Sequence, residues 1–286
     1  METKRFFDKE LQLFFILLIV FTGFFFLGLY WTDNYWIFMS TGYMWAPAIA
    51  IVLTKLILKK KLDFHFAWNS WSYNLKAIAI PFLYCILIYG VAYAFGLVEL
   101  NLDYLNKYAE RFKMADQLTL FVIVFIILKG FFGTIGNLSS SFGEELGWRG
   151  YLYPKFRTKY SFVFSSIVVG LIWSIWHWPL ILKNTLSNPD INSLKIILLF
   201  TVVITLASFI YSWLFEKSRS VWSAVILHSA HNSIMGGTFD GIFNDSGYYV
   251  GETGIITMIV LTGFAIYYIT NKMSNFQNKS KPIQHE

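Results

Sequence analysis

Eight stretches of this chain are long and apolar enough to cross a membrane, and they constrain its fold more than any other feature. They lie near Leu11–Trp31, Tyr35–Leu58, Ala77–Leu97, Leu118–Leu138, Phe162–Leu182, Ile196–Phe215, Val221–Phe239 and Ile255–Thr270. Crossing the hydrocarbon core takes roughly 20 apolar residues. Inside it no water can satisfy the backbone, so each such stretch must be helical. The expectation is an all-α fold: a polytopic membrane helical bundle of about eight transmembrane helices, forming a single integral-membrane domain over 1–286. Composition agrees, with 56% hydrophobic and only 14% charged residues and a mean hydropathy of +0.52. Soluble chains carry about 25% charged residues. The N-terminal METKRFFDKE followed by LQLFFILLIV has the charge order of a signal peptide, but its apolar run is too long and lacks a small-residue cleavage site, so it reads as a retained first span.

The charges between the spans set the orientation. Seventeen Lys and Arg fall in the two termini and in the segments Lys55–Lys76, Arg149–Lys159 and Lys217–Arg219, against five (Lys107, Arg111, Lys113, Lys183, Lys195) on the other side, with Lys129 inside a span. Basic loops stay in the cytoplasm, so both termini are expected there. The net charge of +6 is spread over these loops, and no nucleic-acid partner follows from it. The segment Asn101–Gln117 places Leu, Tyr and Phe at helical spacing among charges, as either an amphipathic helix on the outer face or a solvated loop helix. The single cysteine, Cys85, sits in an apolar run, which rules out an intramolecular disulfide and reads as a small buried hydrophobe.

An ionisable group inside a span is expensive and marks a functional site by default. His177 sits in WSIWHWPL, two residues before Pro179, whose missing N–H loosens the helix around Ile175. In VILHSAHN, His228 and Asn232 are four residues apart and share a helix face, with the extra imidazole of His231 nearby. In SFGEELGWRG, Glu145 and Arg149 form an i, i+4 ion pair in the favourable order, while Glu144 points about 100° away. Two readings of Glu144 stay open. It is a carboxylate free to act as general base on water, or it closes a capping box with Ser141 at a helix start. For VILHSAHN the bland reading is interhelical hydrogen bonding. Base, imidazoles and amide donor on three different segments favour a site over packing alone.

Taken together, Glu144-Glu145-Leu-Gly-Trp-Arg149, Trp173-Ser-Ile-Trp-His177 and His228-Ser-Ala-His-Asn232 closely resemble the three motifs of the CPBP family, the CAAX-protease and bacteriocin-processing (Abi) membrane proteases, in the family's order. Trp173 stands where many members have Phe. The resemblance spans roughly residues 140–235 and implies a catalytic core within about 118–240. It implies that Glu144 and His177 activate the attacking water, that His228 and Asn232 stabilise the oxyanion, and that Glu145 and Arg149 support the site. The family is described both as metalloproteases and as metal-independent glutamate proteases. Glu144, His177 and His228 make an acceptable catalytic zinc set, but no H-E-x-x-H helix is present, nor a G-x-S-x-G elbow.

The expected function is an intramembrane endopeptidase of the bacterial cell membrane, suggested as bacterial by the Lys-, Asn-, Ile- and Phe-rich composition. It would act on a peptide or membrane-anchored protein in bacteriocin or pheromone processing, in self-immunity, or at C-a-a-X tails. The alternatives are a non-catalytic membrane protein that binds or protects against a peptide through the same pocket, and a proton-relaying transporter, for which no inverted repeat is visible. One expectation conflicts with the rest. A fourth span ending near Leu138 would leave Glu144 at the surface, while His177 lies about 22 Å into its span. Either that helix continues past Gly136 or the GNLSSS segment re-enters the bilayer, and the expected cavity opens to the cytoplasm.

Overall fold

The computed structural model describes residues 8–31, 39, 42–68, 71–186, 192–245 and 248–279, with backbone alone over 271–279. The extreme N-terminus, the start of the second apolar stretch and His285 lie outside them. The helices are α1 (Lys9–Trp31), α2 (Ala46–Ile57), α3 (Trp71–Ala94), α4 (Leu102–Arg111), α5 (Leu118–Gly147), α6 (Tyr153–Arg157), α7 (Phe162–Thr185), α8 (Ser193–Ser218), α9 (Val221–His231), the single turn α10 (Asp240–Ile242) and α11 (Ile255–Lys279). A π-helical turn, Trp148–Leu152, joins α5 to α6, and a second, Asn232–Phe239, joins α9 to α10. The departure from all-α is an antiparallel pair of two-residue strands, β1 (Glu99–Leu100) and β2 (Phe243–Asn244).

Five helical segments are long and apolar enough to cross a membrane: Lys9–Leu29, Trp71–Ala94, Ala115–Arg157, Phe162–Thr185 and Ser193–Ser218. Tyr43–Ile57 and Ile255–Thr270 are apolar but shorter. The Val221–Phe239 stretch is helical too, yet its α-helix ends at His231 and continues as the π-turn.

Two features of α5 correct the sequence-based picture. The helix runs unbroken through GNLSSS to Gly147, and Ser141 is buried within it rather than capping its start. Together with the π-turn and α6 it forms one segment ending at Arg157. Glu144 therefore lies thirteen residues, about 20 Å, from that end, level with His177 at about 22 Å into α7. The depth conflict came from ending the helix too early.

Helix α9 is at the centre. Every residue in it but Trp222 is buried, and α3, α5 and α8 pack around it. Within polar VWSAVILHSAH, Ser223 Oγ donates to Asn74 Oδ1 at 2.8 Å and both imidazoles have partners, whereas the buried Ser229 hydroxyl has none. Helix α2 approaches α5 closely enough that a Cβ on Gly143 would lie 2.6 Å from the Met44 carbonyl oxygen, and one on Gly147 2.5 Å from Pro47 Cβ. Helix α7 continues through Pro179 and packs along α8. Helix α4, capped by Asn101 accepting from Tyr104 N–H, buries Leu105 and Ala109 against Phe121, Phe125 and Ile242. The amphipathic helix read from Asn101–Gln117 is present, with Leu105 and Ala109 covered by protein while Leu102 and Phe112 stay exposed.

Candidate active site

The four candidate residues come from three separated motifs and line one cavity of about 590 Å³: Glu144 from α5, His177 from α7, His228 from α9 and Asn232 at the start of the second π-turn. π-Helical turns frequently sit at functional sites. Here one follows the Glu144–Glu145 pair directly, and the other begins at Asn232.

Glu144 is 2% exposed and does not meet its own helix start. Its Oε2 accepts from Trp173 Nε1 at 2.7 Å and from Trp148 Nε1 at 3.4 Å, so the capping reading is overturned. His177 Nε2 stands 3.6 Å from Oε2, and His228 Nε2 stands 3.9 Å from Oε1. Both gaps exceed a direct hydrogen bond and are short enough for one water to touch both partners.

Glu145 faces the other way, as its one-residue offset requires. Arg149 Nη1 donates to both its oxygens, at 3.0 and 3.1 Å, and Arg149 Nη2 donates to Ser208 Oγ at 3.2 Å. Acid and guanidinium are both 0% exposed, and the guanidinium carbon lies 4.7 Å from the Trp173 ring centre and 4.5 Å from that of Tyr211. The predicted ion pair therefore holds, and Glu145 does more than pair: its Oε1 lies 3.0 Å from His228 Nδ1. A chain Arg149–Glu145–His228 fixes the imidazole and turns Nε2 toward Glu144. This second contact was hidden because sequence spacing shows only what shares a helix.

His231, the extra imidazole, is held apart from Glu144. Its Nδ1 meets the Tyr84 hydroxyl at 2.5 Å and its Nε2 meets Glu252 Oε1 at 3.0 Å. Residues that sequence reasoning missed complete the cavity: Asn184 on α7, Tyr211 on α8, Asp240 hydrogen-bonded to the Tyr89 hydroxyl, and Glu252. The indole donors of Trp148 and Trp173 were also missed, although a buried indole N–H needs an acceptor and both sat inside the motifs.

Zinc ligands surround their ion at about 2.0–2.2 Å. Among the described residues no three His, Cys, Asp or Glu side chains are disposed to hold a metal ion. The trio proposed for that role, Glu144, His177 and His228, has its carboxylate Oε2 engaged by two indole donors. As arranged, this donor set does not fit a three-ligand zinc centre.

Residues 115–234 match the family model described as type II CAAX prenyl endopeptidase Rce1-like, a range that holds all four cavity residues. Among curated proteins, the CAAX prenyl protease 2 of Methanococcus maripaludis is 39% identical over 88 residues, 30% of this chain and 32% of that protein. Lysostaphin resistance protein A of Staphylococcus haemolyticus is 25% identical over 249 residues, 84% of this chain and 62% of the relative. Its counterpart in Staphylococcus aureus strain MRSA252 is 28% identical over 192 residues, 65% of this chain and 39% of the relative. The chain spans less than two thirds of the length of each of these relatives. Residues 115–234 are thus similar to the Rce1-like type II CAAX prenyl endopeptidases, in line with the CPBP resemblance of the three motifs.

Proposed function

We propose that the chain is an intramembrane endopeptidase in which Glu144 activates a water against a peptide bond. The observation that carries this reading is the convergence of Glu144, His177, His228 and Asn232 on one cavity. Water held between Glu144 and His177 loses a proton to the Glu144 carboxylate as its oxygen attacks the scissile carbonyl carbon. The carbonyl π electrons move to oxygen, and that oxyanion is met by N–H donors from His228 Nε2 and Asn232 Nδ2. For His228 to donate at Nε2 while Nδ1 faces Glu145, it must act as the two-donor imidazolium, which carboxylates on both sides suit. Collapse of the intermediate breaks the C–N bond, and the proton held by Glu144 passes to the departing amine.

The proposed mechanism runs without a metal. The substrate would be a peptide or membrane-anchored protein, in a bundle of about eight spans whose termini the Lys/Arg bias assigns to the cytoplasm. The test is purified protein incubated with candidate membrane peptides, with products read by mass spectrometry. Cleavage by wild type and none by Glu144→Gln supports the proposal. Equal cleavage by both removes Glu144 as base. No cleavage by wild type on any substrate that it demonstrably binds leaves the peptide-binding reading in place.

A further inference from the structure

Among the described residues, the exposed part of the cavity lining lies toward one end. The cavity floor is Glu144, Tyr211 and His228, and beneath that floor Glu145, Arg149 and Trp148 are packed with no exposure. From the floor it runs the other way, past Leu180 and Ile204, to a rim of Asn184 in the last turn of α7, Asp240 in α10 and Glu252 in the Gly251–Thr253 turn. Asn184 and Asp240 are exposed, and the Glu252 side chain is 41% exposed. His177 lies seven residues, about 10 Å, below the rim residue Asn184, whereas Glu144 is about 20 Å from Arg157 at the opposite end of its segment.

That opposite end is the basic one. It carries Lys55 in the last turn of α2 and Lys59–Lys61 after it, Lys155, Arg157 and Lys159 around α6, Lys217 in the last turn of α8 and Arg219 just after it. The rim end carries Lys183 and Lys195 beside α4 and its neighbours, where acids outnumber bases. Two residues change sides in the charge tally. Arg149 is core rather than loop, and Lys129 reaches toward the rim end to donate to the Tyr104 hydroxyl of α4 at 2.5 Å. The basic bias survives both changes, and Lys/Arg-rich ends face the cytoplasm.

We infer that the cavity is entered from the extracytoplasmic side of the membrane, the reverse of the cytoplasmic opening expected from sequence. Combined with the proposed peptidase reading, on which this part rests, the substrate class is a peptide arriving from outside or an outer-leaflet segment of a membrane protein. A C-terminal tail displayed in the cytoplasm faces the closed, basic end.

The test uses the full chain in bacterial cells with its one cysteine removed (Cys85→Ala) and a single reporter cysteine introduced. Asn184→Cys reports the rim and Lys61→Cys the basic end. A membrane-impermeant maleimide is expected to label Asn184→Cys in intact cells and Lys61→Cys after permeabilisation alone. Labelling of Lys61→Cys in intact cells, with Asn184→Cys requiring permeabilisation, overturns the inference. The two readings fail separately. The expected labelling with Glu144→Gln fully active would keep the sidedness and remove the peptidase mechanism. Reversed labelling with Glu144→Gln inactive would do the opposite.

Discussion

Replacing each of the adjacent acids by glutamine should produce opposite phenotypes. In Glu144→Gln the new amide keeps an oxygen for the indole donors of Trp173 and Trp148, at 2.7 and 3.4 Å. His228 keeps its nearer carboxylate, Glu145, at 3.0 Å, so stability should move by about 1 kcal/mol, the scale of one net hydrogen bond. Activity should fall by on the order of 10²–10⁴, the worth of a positioned general base. In Glu145→Gln the shape is also kept, but Arg149, at 0% exposure, loses the anion that both its bonds address. Two unit charges about 4 Å apart attract by about 4 kcal/mol at an effective dielectric of 20. Stranding one member of a buried pair costs roughly 3–5 kcal/mol. The assay is thermal unfolding in detergent, run beside peptide cleavage on the same preparations. Glu144→Gln should unfold with wild type, and Glu145→Gln many degrees lower. Should Glu145→Gln prove as stable as wild type while Glu144→Gln unfolds early, the division of labour between the two acids would be refuted.

Chelators are expected to leave the cleavage rate unchanged. A loss restored specifically by zinc would show that the attacking water is bound to metal and would overturn the donor-set argument. His228→Gln should reduce turnover by about 10² or more, as removal of an oxyanion donor does, whereas His231→Gln, remote from Glu144, should stay within several-fold of wild type; comparable losses in the two would reassign the imidazoles. Trp173→Phe removes the 2.7 Å indole bond to Glu144 and should lower kcat by about tenfold, from a charge-assisted bond worth about 1.5–3 kcal/mol only part of which acts in the transition state. An unchanged kcat would leave the indole as packing. Gly143→Ala places a Cβ 2.6 Å from the Met44 carbonyl and 2.9 Å from Trp45 Cα, backbone atoms that cannot turn aside. It should destabilise by about 1–3 kcal/mol, visible as a lower unfolding temperature, and an unaffected protein would mean that α2 can move off α5.

The candidate site residues were legible because motif residues are read by type and spacing. Glu144, Glu145, Arg149, His177, His228 and Asn232 were all named from sequence, and the Glu145–Arg149 pair follows from an i, i+4 offset alone. Helix positions were legible for the same local reason: apolar length forces helix. The end of α5 was misplaced because Asn137, Ser139 and Ser140 look like a loop by propensity; in the helix Asn137 and Ser140 hydrogen-bond to the Gly133 and Asn137 carbonyls, and the packing of α5 on α2 and α9 overrides propensity. The second role of Glu145 was beyond reach, since its bond to His228 joins residues eighty-three apart in sequence.

The helical membrane character, the candidate site residues and the basic end of the bundle could all be read from the chain alone, because length, residue type and charge are properties of the local chain. Only the tertiary structure decided that Glu144 faces two histidines rather than a helix start, that the extra imidazole belongs to Tyr84 and Glu252, and that the cavity rises from the buried Glu145–Arg149 pair toward the less basic end. These depend on how the long α5 segment is set against α7, α8 and α9, and packing between distant helices is fixed by side-chain fit that no local pattern encodes.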